Sequence, residues 1–270
     1  MNTMKKQFLF SLILVMAILP FAGCEDDDEN PSPNTPIVPV DTTMGEVLID
    51  ITNIIDDSIG LRNVDVSGGT TYYNSFGEPY TVTKLKYYVS NIQLMRADTV
   101  AFTMPESYFL IKEDVDSTKK LVVPGVPSGS YDGVRFMIGV DSTRNVSGAQ
   151  TGALTQSDMF WTWVSGYIFF KLEGTSPLSP DGITYHVGGF RESNNTNAIR
   201  VVDIEFDGNE LEVAQNREAE IHLFANINKL FDAIHPISIS SNSFIMSPGG
   251  DALLIADNIS KMFIFDHIHN

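Results

Sequence analysis

The chain has 270 residues, 43% of them hydrophobic, and sets 34 acidic side chains against 17 basic ones for a formal net charge of −17. That balance excludes a nucleic-acid partner, because binding phosphate needs a basic patch and none stands out. A single cysteine excludes a disulfide framework.

Read from its start, the chain opens with Lys5-Lys6, an apolar run from Phe8 to Phe21, and then Ala22-Gly23-Cys24. This predicts a signal peptide over residues 1–23, since the run is too short for the roughly 20-residue helix that crosses a bilayer. Cys24 stands in the lipobox position and is the expected site of lipidation, each buried acyl CH₂ being worth about 0.8 kcal/mol. A lipid-anchored protein of the cell outer membrane, facing the periplasm or the cell surface, is therefore expected. Residues 24–44, with the acidic run Glu25 to Glu29 and prolines at 31, 33, 36 and 39, read as a solvated tether.

Residues 45–270 read as one β domain. Glu46 to Thr52 alternates polar and apolar residues, as a half-buried strand does. Tyr80 to Met95 is a long strand whose parity changes at Ser90-Asn91, which predicts a bulge or bend. Further strands are expected over Tyr108 to Ile111, Leu121 to Val123, Val134 to Val140, Thr184 to Val187, Ile199 to Phe206, Leu211 to Val213 and Glu218 to Phe224. Helical spacing appears over Asn226 to Ala233 and over Asp251 to Met262. The class is mainly β, an antiparallel sandwich or barrel-like domain with two or three short helices.

Met159 to Gly174, M-F-W-T-W-V-S-G-Y-I-F-F-K-L-E-G, holds both tryptophans. Such aromatic density reads first as core, each ring burying roughly 150–250 Å². Trp161 and Trp163 are two apart, so in a strand their indoles share a face. One is expected near the surface and the other in the core.

Five histidines are informative by their scarcity. His267 and His269, if the chain end is extended, point the same way about 6.6 Å apart, given a rise of roughly 3.3 Å per residue, and suit one copper or zinc ion. A frayed polar tail is the equal alternative. His186, before Val187-Gly188-Gly189, is either a third ligand or a solvent-facing strand residue. His222 shares a strand face with Glu220 and Phe224 and reads as a packed residue before a ligand, while His235 before Pro236 reads as a loop residue. Asp56-Asp57 and Asn194-Asn195 are loop candidates for calcium, without the spacing of an EF-hand. Catalytic patterns are weak, for Ser165-Gly166 lacks the flanks of a nucleophile elbow and no phosphate loop occurs.

Several of these segments together resemble the MbnP family: Leu85 to Ile92, Phe136 to Asp141, the run Met159 to Gly174, His186 to Gly189, Asn226 to Asp232, and Met262 to His269. The resemblance implies a β-rich, non-catalytic copper-binding protein of the cell envelope, in which histidines and a tryptophan oxidised to kynurenine bind the metal. It further implies a di-haem peroxidase-like partner that performs the oxidation. Carried onto this chain, the ligands would be His186 and His267 or His269, and the modified residue Trp161 or Trp163. The chain departs from some relatives in having no cysteine in its folded part. The competing reading is a metal-free surface module that binds a protein or glycan through exposed aromatics.

Overall fold

The computed structural model describes residues 43–270 apart from Ala149, Gln156 and Trp163, so the expected leader, Cys24 and all but the last two tether residues lie outside the described residues. In chain order the strands are β1 (Met44–Asp57), β2 (Gly60–Asn63), β3 (Tyr72–Tyr73), β4 (Pro79–Arg96), β5 (Thr99–Thr103), β6 (Tyr108–Lys112), β7 (Lys120–Pro127), β8 (Gly129–Tyr131) and β9 (Gly133–Ile138). They continue with β10 (Phe160–Thr162), β11 (Gly166–Ser176), β12 (Ser179–Gly188), β13 (Arg200–Glu205), β14 (Leu211–Val213), β15 (Glu218–Asn226), β16 (Phe244–Ile245) and β17 (Phe263–His269). The α-helices are α1 (Ser142–Val146) and α2 (Asp251–Ile259).

Among the described residues the strands form two large sheets, which makes the domain mainly β as expected. One has five strands in the order β17-β15-β1-β2, with β7 also on β1. The other has ten, in the order β13-β9-β4-β11-β12-β16, with β3, β5 and β6 on β4 and β10 on β11. The expected antiparallel pattern has two exceptions: β1 pairs β15 in parallel from Glu46↔Glu218 to Ile54↔Asn226, and the short β16 pairs β12 in parallel at Thr184↔Phe244 and Tyr185↔Ile245. Parallel neighbours need a long crossover. Between β1 and β15 that crossover contains most of the ten-stranded sheet.

The two sheets close on one core. From the five-stranded sheet Val47, Ile49, Ile51, Ala219, Ile221 and Leu223 are buried, and their polar neighbours in sequence point outward. Phe263 of β17 reaches the other sheet, meeting Phe136 edge to face at 4.8 Å and Tyr87 at 6.1 Å. The Tyr87 hydroxyl donates to Asn53 Oδ1 at 2.7 Å, which gives its polar tip a partner inside the apolar layer. The bend expected in β4 is present, with Asn91 at φ 54° and a register shift against β9 between Ser90 and Gln93.

The helical expectation over Asn226 to Ala233 is only partly met. The segment is a single 3₁₀ stretch, Ile227–Phe231, which still buries Ile227, Leu230 and Phe231. Asn228 donates to the carbonyls of Asp56 and Tyr73, and these long-range bonds hold the chain to one short tight turn. The second helix ends at Ile259, short of Met262.

In the aromatic run Met159, Tyr167, Phe169 and Phe170 are buried, while Phe160 and Trp161 are half-buried against the core. The core reading therefore holds for these rings. Trp163 lies outside the described residues.

Candidate metal centre

β15 alternates as its sequence predicts, with Ala219, Ile221 and Leu223 inward and Glu220, His222 and Phe224 outward. β17 runs antiparallel beside it, and its register carries one extra residue. Leu223 faces Phe265, yet His222 faces His267, so Asp266 is a bulge. Without the bulge, His267 and His269 would share the parity of Phe265, which packs on Phe206 at 5.4 Å beneath the sheet. The extra residue turns both imidazoles to the outer face, opposite His222 and Glu220, and returns Ile268 to the side of Ile221.

Three imidazoles consequently meet. The donor atoms of His222, His267 and His269 all lie within 4.8 Å of one another. Nε2 of His267 is 3.1 Å from Nε2 of His269, and the ring of His267 stacks on that of His222 with centroids 4.2 Å apart. Two nitrogens each about 2.0–2.1 Å from one ion stand roughly 3 Å apart, so the first pair fits a shared ion. Nδ1 of His267 is 2.9 Å from Asp266 Oδ2. With a proton held there, Nε2 keeps its lone pair toward His269, the outer-shell arrangement common to metal-bound histidines. Nε2 of His222 is buried without a hydrogen bond. Glu220 Oε1 lies 3.3 Å from it. A buried ring nitrogen without a hydrogen bond, on a residue grouped with two other imidazoles, is what a metal site asks of a third ligand.

The other expected residues stand elsewhere. His186 is on β12, opposite Lys171 of β11 and outside the group of three. Its Nε2 is 2.9 Å from Glu173 Oε1, whose second oxygen accepts from Lys84 Nζ at 2.7 Å. Burial lowers the pKa of this imidazole and the Glu173 bond opposes that shift, with the first effect prevailing. Lys171 beside it is also buried, its ammonium donating to the carbonyl of Asp158, and burial lowers its pKa as well. His235 binds Asp257 Oδ2 at 3.1 Å, a carboxylate that also accepts from Arg200. Asp57 of the calcium candidates is taken up by Arg62 and by the backbone of Ile59 and Tyr73. Trp161 lays its ring close to Gly188, where a β-carbon would come within 3.0 Å of it, and its Nε1 is buried with no hydrogen bond.

The MbnP family model matches residues 45–247. The chain belongs to the MbnP family. Within that match fall the aromatic run, His186 and His222; β17 with His267 and His269 lies beyond it. A solved structure, MbnP from Methylosinus trichosporium, is similar at 16% identity with a TM-score of 0.49, covering 73% of this chain and 80% of that one. No curated protein matches.

Sequence reasoning found the two terminal histidines and their common direction. It also named His222 among the metal candidates, without seeing that this residue rather than His186 stands beside the terminal pair, and it missed that Asp50 and Glu220 gather around His222 as a second donor group. Strand alternation marks all of these as outward-facing. Only the pairing of β1, β15 and β17 places them side by side.

Proposed function

We propose that this MbnP protein is a non-catalytic copper-binding lipoprotein of the cell envelope, its copper held by His222, His267 and His269. The observation that carries the reading is the convergence of three imidazoles, with Nε2 of His267 and His269 3.1 Å apart and Nε2 of His222 buried without a hydrogen bond. Imidazole donors suit copper, and copper stands above zinc in intrinsic affinity for such a site. The imidazoles lie on the outer face of a sheet, which suits holding and handing over an ion better than enclosing a substrate. Family membership supports a role of this accessory kind.

The test is metal analysis of the mature chain after stripping and reconstitution. Wild type should retain copper stoichiometrically, and His267→Ala/His269→Ala should retain none while keeping its circular dichroism. Copper retained at full stoichiometry by the double variant would exclude this trio as the site.

Two further parts of the reading rest on the resemblance and on the leader sequence. Acylation of Cys24 anchors the chain in the outer membrane, and a di-haem peroxidase-like enzyme oxidises Trp161 or Trp163 to kynurenine. Intact-mass and peptide mass spectrometry of protein taken from its native envelope reads both. We expect acyl chains on Cys24 and the mass gain of kynurenine between Met159 and Lys171, and unmodified residues at these places would refute the corresponding part.

A further inference from the structure

The outer face of the five-stranded sheet carries a second group of donors beside the imidazole trio. Lys120 of β7 faces Asp50 of β1, and Asp50 faces His222 of β15 across the parallel pair. Glu220 stands two residues before His222 on the same face of β15, opposite Leu48. Asp50 and Glu220 are therefore diagonal neighbours, a separation that long side chains span. The donor atoms of Asp50, Glu220 and His222 lie within 4.8 Å of one another, while neither carboxylate belongs to the group that His222 makes with His267 and His269.

This group differs from a patch of surface acid in two ways. Nε2 of His222, 3.3 Å from Glu220 Oε1, is buried and has no hydrogen bond. Glu220 has no lysine or arginine partner among the described residues, and Asp50 is paired by Lys120, whose Nζ lies 3.2 Å from Oδ2 on a side chain 56% exposed. An ion pair so open to solvent is weak, and the long lysine side chain can swing into water when another cation arrives. All three donor residues are half-buried, which makes their charges felt more strongly than on an open surface.

We infer that Asp50, Glu220 and His222 form a second metal site, for a divalent cation of the zinc class, and that it shares His222 with the copper trio, so that the two sites are filled one at a time. The donor set separates it from the trio. Zn²⁺ takes carboxylate oxygen and imidazole nitrogen alike at about 2.0–2.2 Å, and two carboxylates cancel the charge of a divalent ion that three neutral imidazoles leave uncompensated. Three protein ligands and a water complete its tetrahedral shell. The exclusion follows from His222 itself: a neutral imidazole has one ring nitrogen free to accept, so it serves one ion at a time. The zinc site stands on its own donors, whereas the exclusion rests on the copper reading above.

The experiment titrates the metal-stripped mature chain with Zn²⁺ by calorimetry, and then with copper in the absence and presence of Zn²⁺. Wild type should bind Zn²⁺, and His267→Ala/His269→Ala should bind it with the same affinity. Asp50→Asn and Glu220→Gln should each weaken Zn²⁺ by about 100-fold, the upper end of what losing a supporting carboxylate costs a metal site, while retaining copper as wild type does. In wild type the apparent copper affinity should fall as Zn²⁺ is raised, and in Glu220→Gln that competition should disappear. Zn²⁺ lost from the double histidine variant but kept by both carboxylate variants would overturn the inference and place zinc in the imidazole trio. A wild-type chain that binds no Zn²⁺ would overturn it too, and copper and Zn²⁺ held together by wild type would overturn the exclusion. Zn²⁺ binding as expected in a chain that retains no copper would instead overturn the copper reading and leave the second site standing.

Discussion

Glu78 shows how much one carboxylate can do in this fold. It sits in the loop before β4, almost wholly buried, and accepts from Ser238 Oγ, Asn74 Nδ2 and the backbone N–H groups of Ile239 and Ser240. It thereby pins the segment after Phe231 to the entry of β4. Burial by itself would raise its pKa, but these donors outweigh burial and bring it from 4.5 down to about 2. A carboxyl whose native pKa lies below its unfolded value stabilises the fold fully above the unfolded value, and that contribution disappears as pH falls from 4.5 toward about 2. Glu78→Gln should cost about 1–3 kcal/mol near neutral pH, because two backbone donors and a hydroxyl lose an ionised acceptor. It should also flatten the acid side of the stability profile. Denaturant unfolding across the acid range checks this, and a variant as acid-sensitive as wild type would assign the pinning to other groups. His186 works on the same acid side. Its lowered pKa makes protonation on acidification a cost to the native state, since the unfolded chain takes up the proton more readily.

At the scale of elements, β17 joins the core to the site. Its first half is held by Phe263 against Phe136 and Tyr87, and its second half presents His267 and His269. Asp266 separates the two halves. Phe263→Ala should destabilise by about 3–5 kcal/mol, the range for truncating a buried phenylalanine, because the cavity would open between two packed sheets. It should also loosen the imidazole group without touching it. Thermal unfolding together with copper retention measures both effects, and unchanged stability would mean that β17 is held chiefly by its backbone ladder. The aromatic run depends on backbone clearance in the same way. A β-carbon at Gly174 would lie 1.9 Å from the Thr81 carbonyl, and one at Gly166, which has φ +78°, 2.1 Å from Asn145 Oδ1. Glycine is therefore required at both ends of β11, for close approach of β4 at one and for a left-handed turn at the other.

Across the whole molecule, the three imidazoles come from β15 and β17, and the first strand, β1, lies beside β15 in the same sheet. β1 and β15 pair in parallel at positions as far apart as Glu46 and Glu218, and β17 adds at the outer edge. The loop entropy of closing β1 onto β15 is offset by the packing of both sheets, whereas the imidazoles are brought together by the nearer pairing of β15 with β17. An ion held by the proposed trio would stabilise the native state by mass action, about 2.7 kcal/mol at a free concentration one hundred times the Kd.

Much of this was written locally in the sequence. Strand alternation gave the outward face of β15 because side-chain direction has a period of two wherever the chain is extended. The spacing of His267 and His269 gave their common direction for the same reason, and the aromatic run announced core by its composition. None of these signals says which strand lies next to which. Neighbours here are set by long-range packing, so the parallel pairing of β1 with β15, the bulge at Asp266 and the separation of His186 from the three grouped imidazoles belong to the tertiary structure. His222 shows the division most directly: alternation placed it outward, its neighbours Glu220 and Phe224 made it look like a packed residue, and only the register of β15 against β17 set it against two other imidazoles.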